Sequence, residues 1–380
     1  MRWIIMLVAL ASAGPALSET EHRFSTLLAL EAWDSNEAPA HGALMLAYEL
    51  VGLKNGAQFS AEYNTDTLRA EYSNLKLSDY LRWGIRATAE GKLANLMPDY
   101  YRRGINEAEK GFSASYALGQ VWLDMSPARQ VALRLEVGGR RWFVDTNDKT
   151  ATSFVLPANA WVLENKLHLT YWGLSADAGW RDRFRPYPRL KGISMGLTFA
   201  VNWQRDAQPW GARDETSFDP VDPRNQPDTL QFGLVQWVKA GKKISQNIRF
   251  EIRQEFGWQM GEDDLSRRVI GGMNPYVLSI PGTPWAYFHA GDYMGGQLDF
   301  RWRAHSLIEV GPVASLVALR DPDRMGDDAF GMVWGVGGVV DVRLQDWQLD
   351  FRGGYAPGLR AIHPVQKAWS VLMLVGYGPR

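Results

Sequence analysis

Apolar and polar residues alternate with a period of two along most of the chain. Leu298, Phe300, Trp302 and Ala304 fall on one parity, and Asp299, Arg301 and Arg303 on the other. That period places the two sets on opposite faces of a β-strand. Leu81, Trp83, Ile85, Ala87 and Ala89 alternate with Arg82, Gly84, Arg86, Thr88 and Glu90 in the same way. Ile248, Phe250, Ile252, Phe256, Trp258 and Met260 share a parity broken only by Gln254, and they oppose Arg249, Glu251, Arg253, Glu255, Gly257 and Gln259. Trp347, Leu349, Phe351 and Tyr355 oppose Gln348, Asp350 and Arg352. The pattern predicts strands starting near Phe24, Ala43, Gln58, Leu68, Leu81, Phe112, Val131, Trp161, Leu174, Ile193, Leu230, Ile248, Gln297, Leu307, Met332, Trp347 and Trp369.

So many half-apolar strands, with so few helical segments to cover them, place the apolar faces against lipid and the charged faces around an interior. A soluble sandwich would bury its apolar sets between two sheets and would rarely repeat Trp on an exposed face. Strands of about ten residues suit a tilted crossing of the hydrocarbon layer. Closure removes the unpaired edges that lipid penalises. The expected fold is all-β: a transmembrane antiparallel barrel of about sixteen strands, an even number because both ends of such a barrel face the periplasm. Short turns at 126–128, 241–243, 305–306 and 345–346 alternate with long loops at 93–110, 146–158, 205–228, 261–296, 320–330 and 356–367. Segment 182–192 spoils that alternation, so the strand starts counted between 160 and 200 merge or split one strand of the wall. The loop before the strand at Gln297 is rich in Gly and Pro, and it carries Tyr276, Trp285, Tyr287 and Phe288. It is too apolar for a tether and is expected to fold back into the cavity.

The opening MRWIIMLVALASAGPALSET has a positive Arg2, an apolar run from Trp3 to Ala13 and a small-x-small site at Ala16–Ser18. It reads as a secretory signal peptide over 1–18, followed by a barrel over 19–380 in a bacterial outer membrane. Zero Cys excludes a lipobox, disulfides and thiolate metal sites. Lys+Arg 41 against Asp+Glu 42 leaves a net charge of -1, with no footprint for nucleic acid. Trp 17, Tyr 14 and Phe 15 make an aromatic-rich chain, as barrels with interfacial girdles are.

Catalytic signals are sparse. His22, His41, His168, His289, His305 and His363 are scattered, without an H-E-x-x-H pair, and no G-x-S-x-G elbow occurs. No cofactor and no metal site are expected. Asp321, Asp323, Asp327 and Asp328 read as a solvated acidic tip, without the spacing of a calcium loop. Arg181, Arg183, Arg185, Arg189 and Lys191 would suit the phosphates of surface glycolipid if they lie outside the cell. Gly335-Val336-Gly337-Gly338 lies within a strand, where glycines relieve curvature or admit a folded-in loop. The mixed charges of the inner face, among them Arg249, Glu251, Asp350 and Arg352, read as ladders between neighbouring strands that brace the wall.

The carboxyl-terminal third resembles the BamA/TamA superfamily of outer-membrane barrels, which includes two-partner-secretion transporters. Arg268-Val269-Ile270-Gly271-Gly272 looks like that family's approach to its internal loop, with Pro281-Gly282-Thr283 at the tip and five strands following. Leu307–Pro312, Gly335–Arg343 and Trp347–Tyr355 are similar to the family's next strands. The resemblance implies sixteen strands and a loop latched inside the barrel. It also implies a part in translocation or insertion of polypeptide or lipid, through the gap between first and last strands. Arg268, Gly271, Gly272, Pro281, Gly282 and Trp285 would form the latch, and Asp299, Arg301 and Arg303 the strand it touches. Pro281 stands where the family carries an Arg, so the usual salt bridge to a strand carboxylate is lost or supplied otherwise. The family's periplasmic modules have no counterpart in this sequence, which implies a separate periplasmic partner. Outer-membrane lipid and surface glycolipid are the other expected partners. A channel for small solutes or exported polysaccharide is the competing expectation, and a lipid-modifying enzyme the third.

Overall fold

The period-two segments become strands, and each strand pairs with its neighbours in the chain. A computed structural model describes residues 20–33, 40–53, 56–64, 67–90, 101–102, 105–106, 112–128, 130–146, 154–172, 192–212, 227–263, 265–271, 278–283, 288–320, 330–357 and 369–377. The wall consists of β1 (Glu21–Trp33), β2 (Ala40–Val51), β3 (Gln58–Asn64), β4 (Thr67–Lys76), β5 (Leu81–Glu90), β6 (Ser113–Ala128), β7 (Val131–Asp145) and β8 (Trp161–Trp172). It continues through β9 (Gly192–Arg205), β10 (Leu230–Lys243), β11 (Ile248–Met260), β12 (Asp292–His305), β13 (Ile308–Arg320), β14 (Gly331–Leu344), β15 (Trp347–Tyr355) and β16 (Trp369–Tyr377). All pairs are antiparallel, and β1 closes on β16, giving a barrel of sixteen strands.

Burial shows which face is which. On β12, Leu298, Phe300 and Trp302 are 46%, 37% and 50% exposed, whereas Asp299 and Arg301 between them are 3% and 2% exposed. Likewise Phe351 is 40% exposed between Asp350 at 0% and Arg352 at 2%. A water-soluble protein would invert this distribution. The arrangement is stable only where hydrocarbon covers the outside, because there every backbone group is satisfied within the closed sheet. Trp161, Trp203, Trp258 and Trp334 face outward towards one rim, and Trp302 and Trp347 towards the other.

Strand direction sorts the connections. Glu21 of β1 and Tyr377 of β16 lie at one rim, which also carries the tight turns 129–130, 244–247, 306–307 and 345–346. The opposite rim carries the connections 91–112, 146–160, 206–229, 261–291, 321–330 and 356–368. β8 and β9 pair without interruption from Trp161↔Arg205 to Trp172↔Ser194, so the wall has two strands where the alternation counts three starts, and the expected splitting of one strand between 160 and 200 is found. The wall is complete without a strand at Leu174, which lies outside the described residues. The strands flanking 173–191 meet that connection at the rim of Glu21 and Tyr377. The basic residues Arg181 to Lys191, for which a glycolipid contact is expected, belong to that connection. Its residues, like the acidic run 321–328, lie outside the described set.

Pairing is uneven around the wall. β6 and β7 are in register from Ser113↔Asp145 to Ala128↔Val131, with one bulge. β1 and β16 pair from Thr26↔Tyr377 to Trp33↔Ser370, so the expected gap between first and last strands is closed here. The pairing of β2 with β3 is shorter, from Met45↔Asn64 to Leu50↔Phe59.

Candidate functional site

The segment between β11 and β12 enters and leaves through a two-stranded ribbon, Arg268–Ile270 against Phe288–Ala290. Its tip is a tight turn over Ile280-Pro281-Gly282-Thr283, in which the Thr283 N–H donates to the Ile280 carbonyl at 3.1 Å. Pro281 supplies the fixed φ of the second position, and Gly282, at φ 90°, supplies the left-handed third. The Thr283 hydroxyl donates to the same carbonyl at 2.8 Å. Sequence and turn chemistry therefore agree.

The tip rests on glycines. Gly335 and Gly337 of β14 share the inward parity of Asp341, and Gly354 of β15 shares that of Asp350 and Arg352. A Cβ on Gly335 would stand 2.0 Å from the Pro281 carbonyl oxygen, and one on Gly354 would stand 2.6 Å from the Gly282 nitrogen. At Gly337 the Pro281 ring would lie at 3.2 Å. Gly282 in turn presses on the end of β15, where a Cβ would meet the Ala356 nitrogen at 2.3 Å. These separations leave no room for any side chain. The described tip is seated on the inward face of β14 and β15.

Apolar packing secures the same piece. Ile270, Leu278, Ile280, Phe288 and Ala290 of the segment cluster with Tyr293, Val317, Leu319, Val333 and Ala356 of the wall. Full burial of residues such as Ile280 and Phe288 contributes about 1.5–3 kcal/mol each. Two polar contacts fix its position. The Ser279 hydroxyl donates to Gln297 Oε1 at 2.7 Å, both being buried. Arg268 Nη2 lies 2.7 Å from Glu255 Oε1, the oxygen that also accepts from the Tyr293 hydroxyl at 2.6 Å.

Of the residues named from sequence, Arg268, Gly271, Pro281 and Gly282 belong to the segment as it is described, with Gly271 at φ 114° directly after the ribbon. Gly272 and Trp285 lie outside the described residues. Asp299 and Arg301 close on each other as a buried bidentate pair, and Arg303 turns to Glu309 at 3.2 Å. The tip's hydrogen bond to β12 goes instead to Gln297, one inward position from Asp299. The alternation reads Glu255 only as an inward charge, and it does not single out Tyr293, Gln297 or Gly354 as partners of the segment. The adjacent Gly353-Gly354 in an otherwise regular strand was the readable signal for the last.

The wall's charges pair both within strands and between them. Arg352 bonds Asp350 at 2.5 Å, Arg343 bonds Asp341 at 2.7 Å and Arg249 forms an ion pair with Glu251 at 2.9 Å, each two residues apart. Cross-strand pairs also occur, as in Arg134–Asp124 at 2.6 Å and Arg86–Glu71 at 3.0 Å. The carboxylates of Asp299 and Asp350 are each held by an arginine of their own strand. Elsewhere inside, a cavity of about 270 Å³ lies between β7 and β11, lined by Asn202, Gln204 and Gln231 and closed by Trp210. Trp210 is packed by Phe112 and Phe154, and its indole N–H donates to Asp263 at 2.7 Å.

Comparison with solved structures finds the same closed wall. A BamA from Haemophilus ducreyi lacking POTRA domains 1-3 matches 94% of this chain and 70% of its own, with a TM-score of 0.60 and 8% identity. Its fold is that of the BamA and CdiB barrels. CdiB from Acinetobacter baumannii matches with a TM-score of 0.57 and 10% identity over 94% of this chain, and CdiB from Escherichia coli with 0.56 and 13% over 93%. This chain spans 60% and 62% of those two CdiB chains. No family model matches the sequence, and no curated protein matches it.

Proposed function

We propose that this is a bacterial outer-membrane barrel that assists translocation or insertion of polypeptide or lipid, with segment 267–296 as an internal latch. The observation that carries the reading is the seating of Pro281 and Gly282 on Gly335, Gly337 and Gly354. A turn built into the wall at backbone contact is a part with one place to be, whereas a passive pore has no need of it. The seam supports the same reading. Val371 and Met373 face out while Leu372 and Leu374 face in and cluster with Leu27, so β16 is apolar on both faces. Such a strand suits exchange with apolar cargo at the closure. The separate periplasmic partner remains part of the proposal. A second reading, a passage for small solutes or polysaccharide, is favoured by the amide-lined cavity of about 270 Å³.

Recordings in planar bilayers separate the two. Deleting 273–290 is expected to convert a quiet barrel into a large, steady pore. A size-selective conductance already present in the intact chain, and unchanged by the deletion, would favour the passage and remove the latch.

A further inference from the structure

Two lipid-facing amides stand without partners. Gln236 of β10 and Gln254 of β11 lie on the outward parity, and both are exposed. Gln236 is opposite Phe256, and Gln254 is opposite Val238 on one side and Gly296 on the other. They are therefore diagonal neighbours, close enough for long side chains to act together. Among the described residues neither has a hydrogen-bond partner. A third outward amide, Asn165, behaves differently: its Nδ2 donates to the Val201 carbonyl at 3.2 Å on the adjacent strand.

Their height matters. On β11, Trp258 marks one aromatic girdle and Ile248, paired with Trp302, the other. Ten residues of tilted strand cover about 25 Å, the height of the apolar band of such barrels. Gln254 lies inside that band, and Gln236 is the middle residue of its strand. An amide in hydrocarbon without a hydrogen bond costs several kcal/mol. Within one chain nothing relieves it: Leu234, Phe256, Val238 and Ile252 are apolar, and the two glutamines make no hydrogen bond to each other.

We propose that this patch is the contact between two copies of this chain in the membrane. Each amide carries both a donor and an acceptor, so two adjacent amides meet their symmetry mates across a two-fold axis and satisfy all four groups. An isologous contact needs nothing that one chain does not already present. Gly296 completes the shape. The space where its side chain would stand is open, with the nearest atom, the Arg253 carbonyl oxygen, at 3.6 Å. That notch beside Gln254 admits a side chain of the facing copy.

The chain has no Cys, so single cysteines report proximity without background. Val238→Cys, between the glutamines, is compared with Leu44→Cys on the opposite wall, both in the full-length barrel reconstituted in vesicles and oxidised. Val238→Cys is expected to give a band of twice the monomer mass several-fold stronger than Leu44→Cys. Adding Gln236→Leu and Gln254→Leu is expected to abolish that excess while the folded, heat-modifiable form persists, because leucine suits lipid better than glutamine does. Equal bands from both cysteines, a dimer indifferent to the leucines, or cross-linking in native membranes to a different protein would each overturn the proposal.

Discussion

Gly335, Gly337 and Gly354 owe their identity to Pro281 rather than to the strands that contain them. The spacing of Gly335 and Gly337 is readable as glycines that admit a loop, but no local pattern says which loop, because contact lies more than fifty residues away along the chain. Charge placement shows the same limit. Alternation puts Asp350 and Arg352 on one face, yet it cannot say whether they bond each other or a neighbouring strand. The geometry chooses the former, with both side chains almost fully buried. Removing one partner then leaves a charge unpaired inside the wall. Asp350→Asn is expected to cost about 3–5 kcal/mol, whereas replacing both residues by leucine costs much less. Denaturant titration of the folded barrel in detergent measures the two side by side.

Strand periodicity was legible almost everywhere. The starts of β3, β5, β7, β8, β10, β11, β15 and β16 fall where the alternation begins. β12 starts earlier than its pattern, at Asp292, because Gly295 and Gly296 carry no side chains to alternate. The extra start counted at Leu174, which lies outside the described residues, has the converse cause: alternation continues past Trp172 and carries no mark of where β8 ends. Between elements, the turn from β11 towards the ribbon holds Glu262, whose carboxyl is pushed above the usual carboxylate range by burial. Arg267 and Arg320 oppose that rise, and Asp292 adds to it. A raised folded value means that the stability contribution is complete below the unfolded pKa and is lost as pH rises through the folded one. Glu262→Gln is expected to match the parent chain at pH 4 and to hold its folded gel band to temperatures higher by roughly a few degrees at pH 8.

At the scale of the whole molecule the decisive property is orientation of the wall, with salt inside and oil outside. Leu298 sits mid-strand and is 46% exposed. In water, Leu298→Arg would be nearly neutral, within about 0.5 kcal/mol. In a bilayer it is expected to cost about 2–4 kcal/mol, read from the folding equilibrium in lipid vesicles. The uneven pairing around the circumference has a mechanical consequence. A zipper parts first where it has the fewest teeth, and among the described residues that place is β2 against β3, not the join of the two chain ends. Any agent that opens the cylinder at β1 and β16 must therefore act on that join directly, since uniform strain would tear the sheet two strands away.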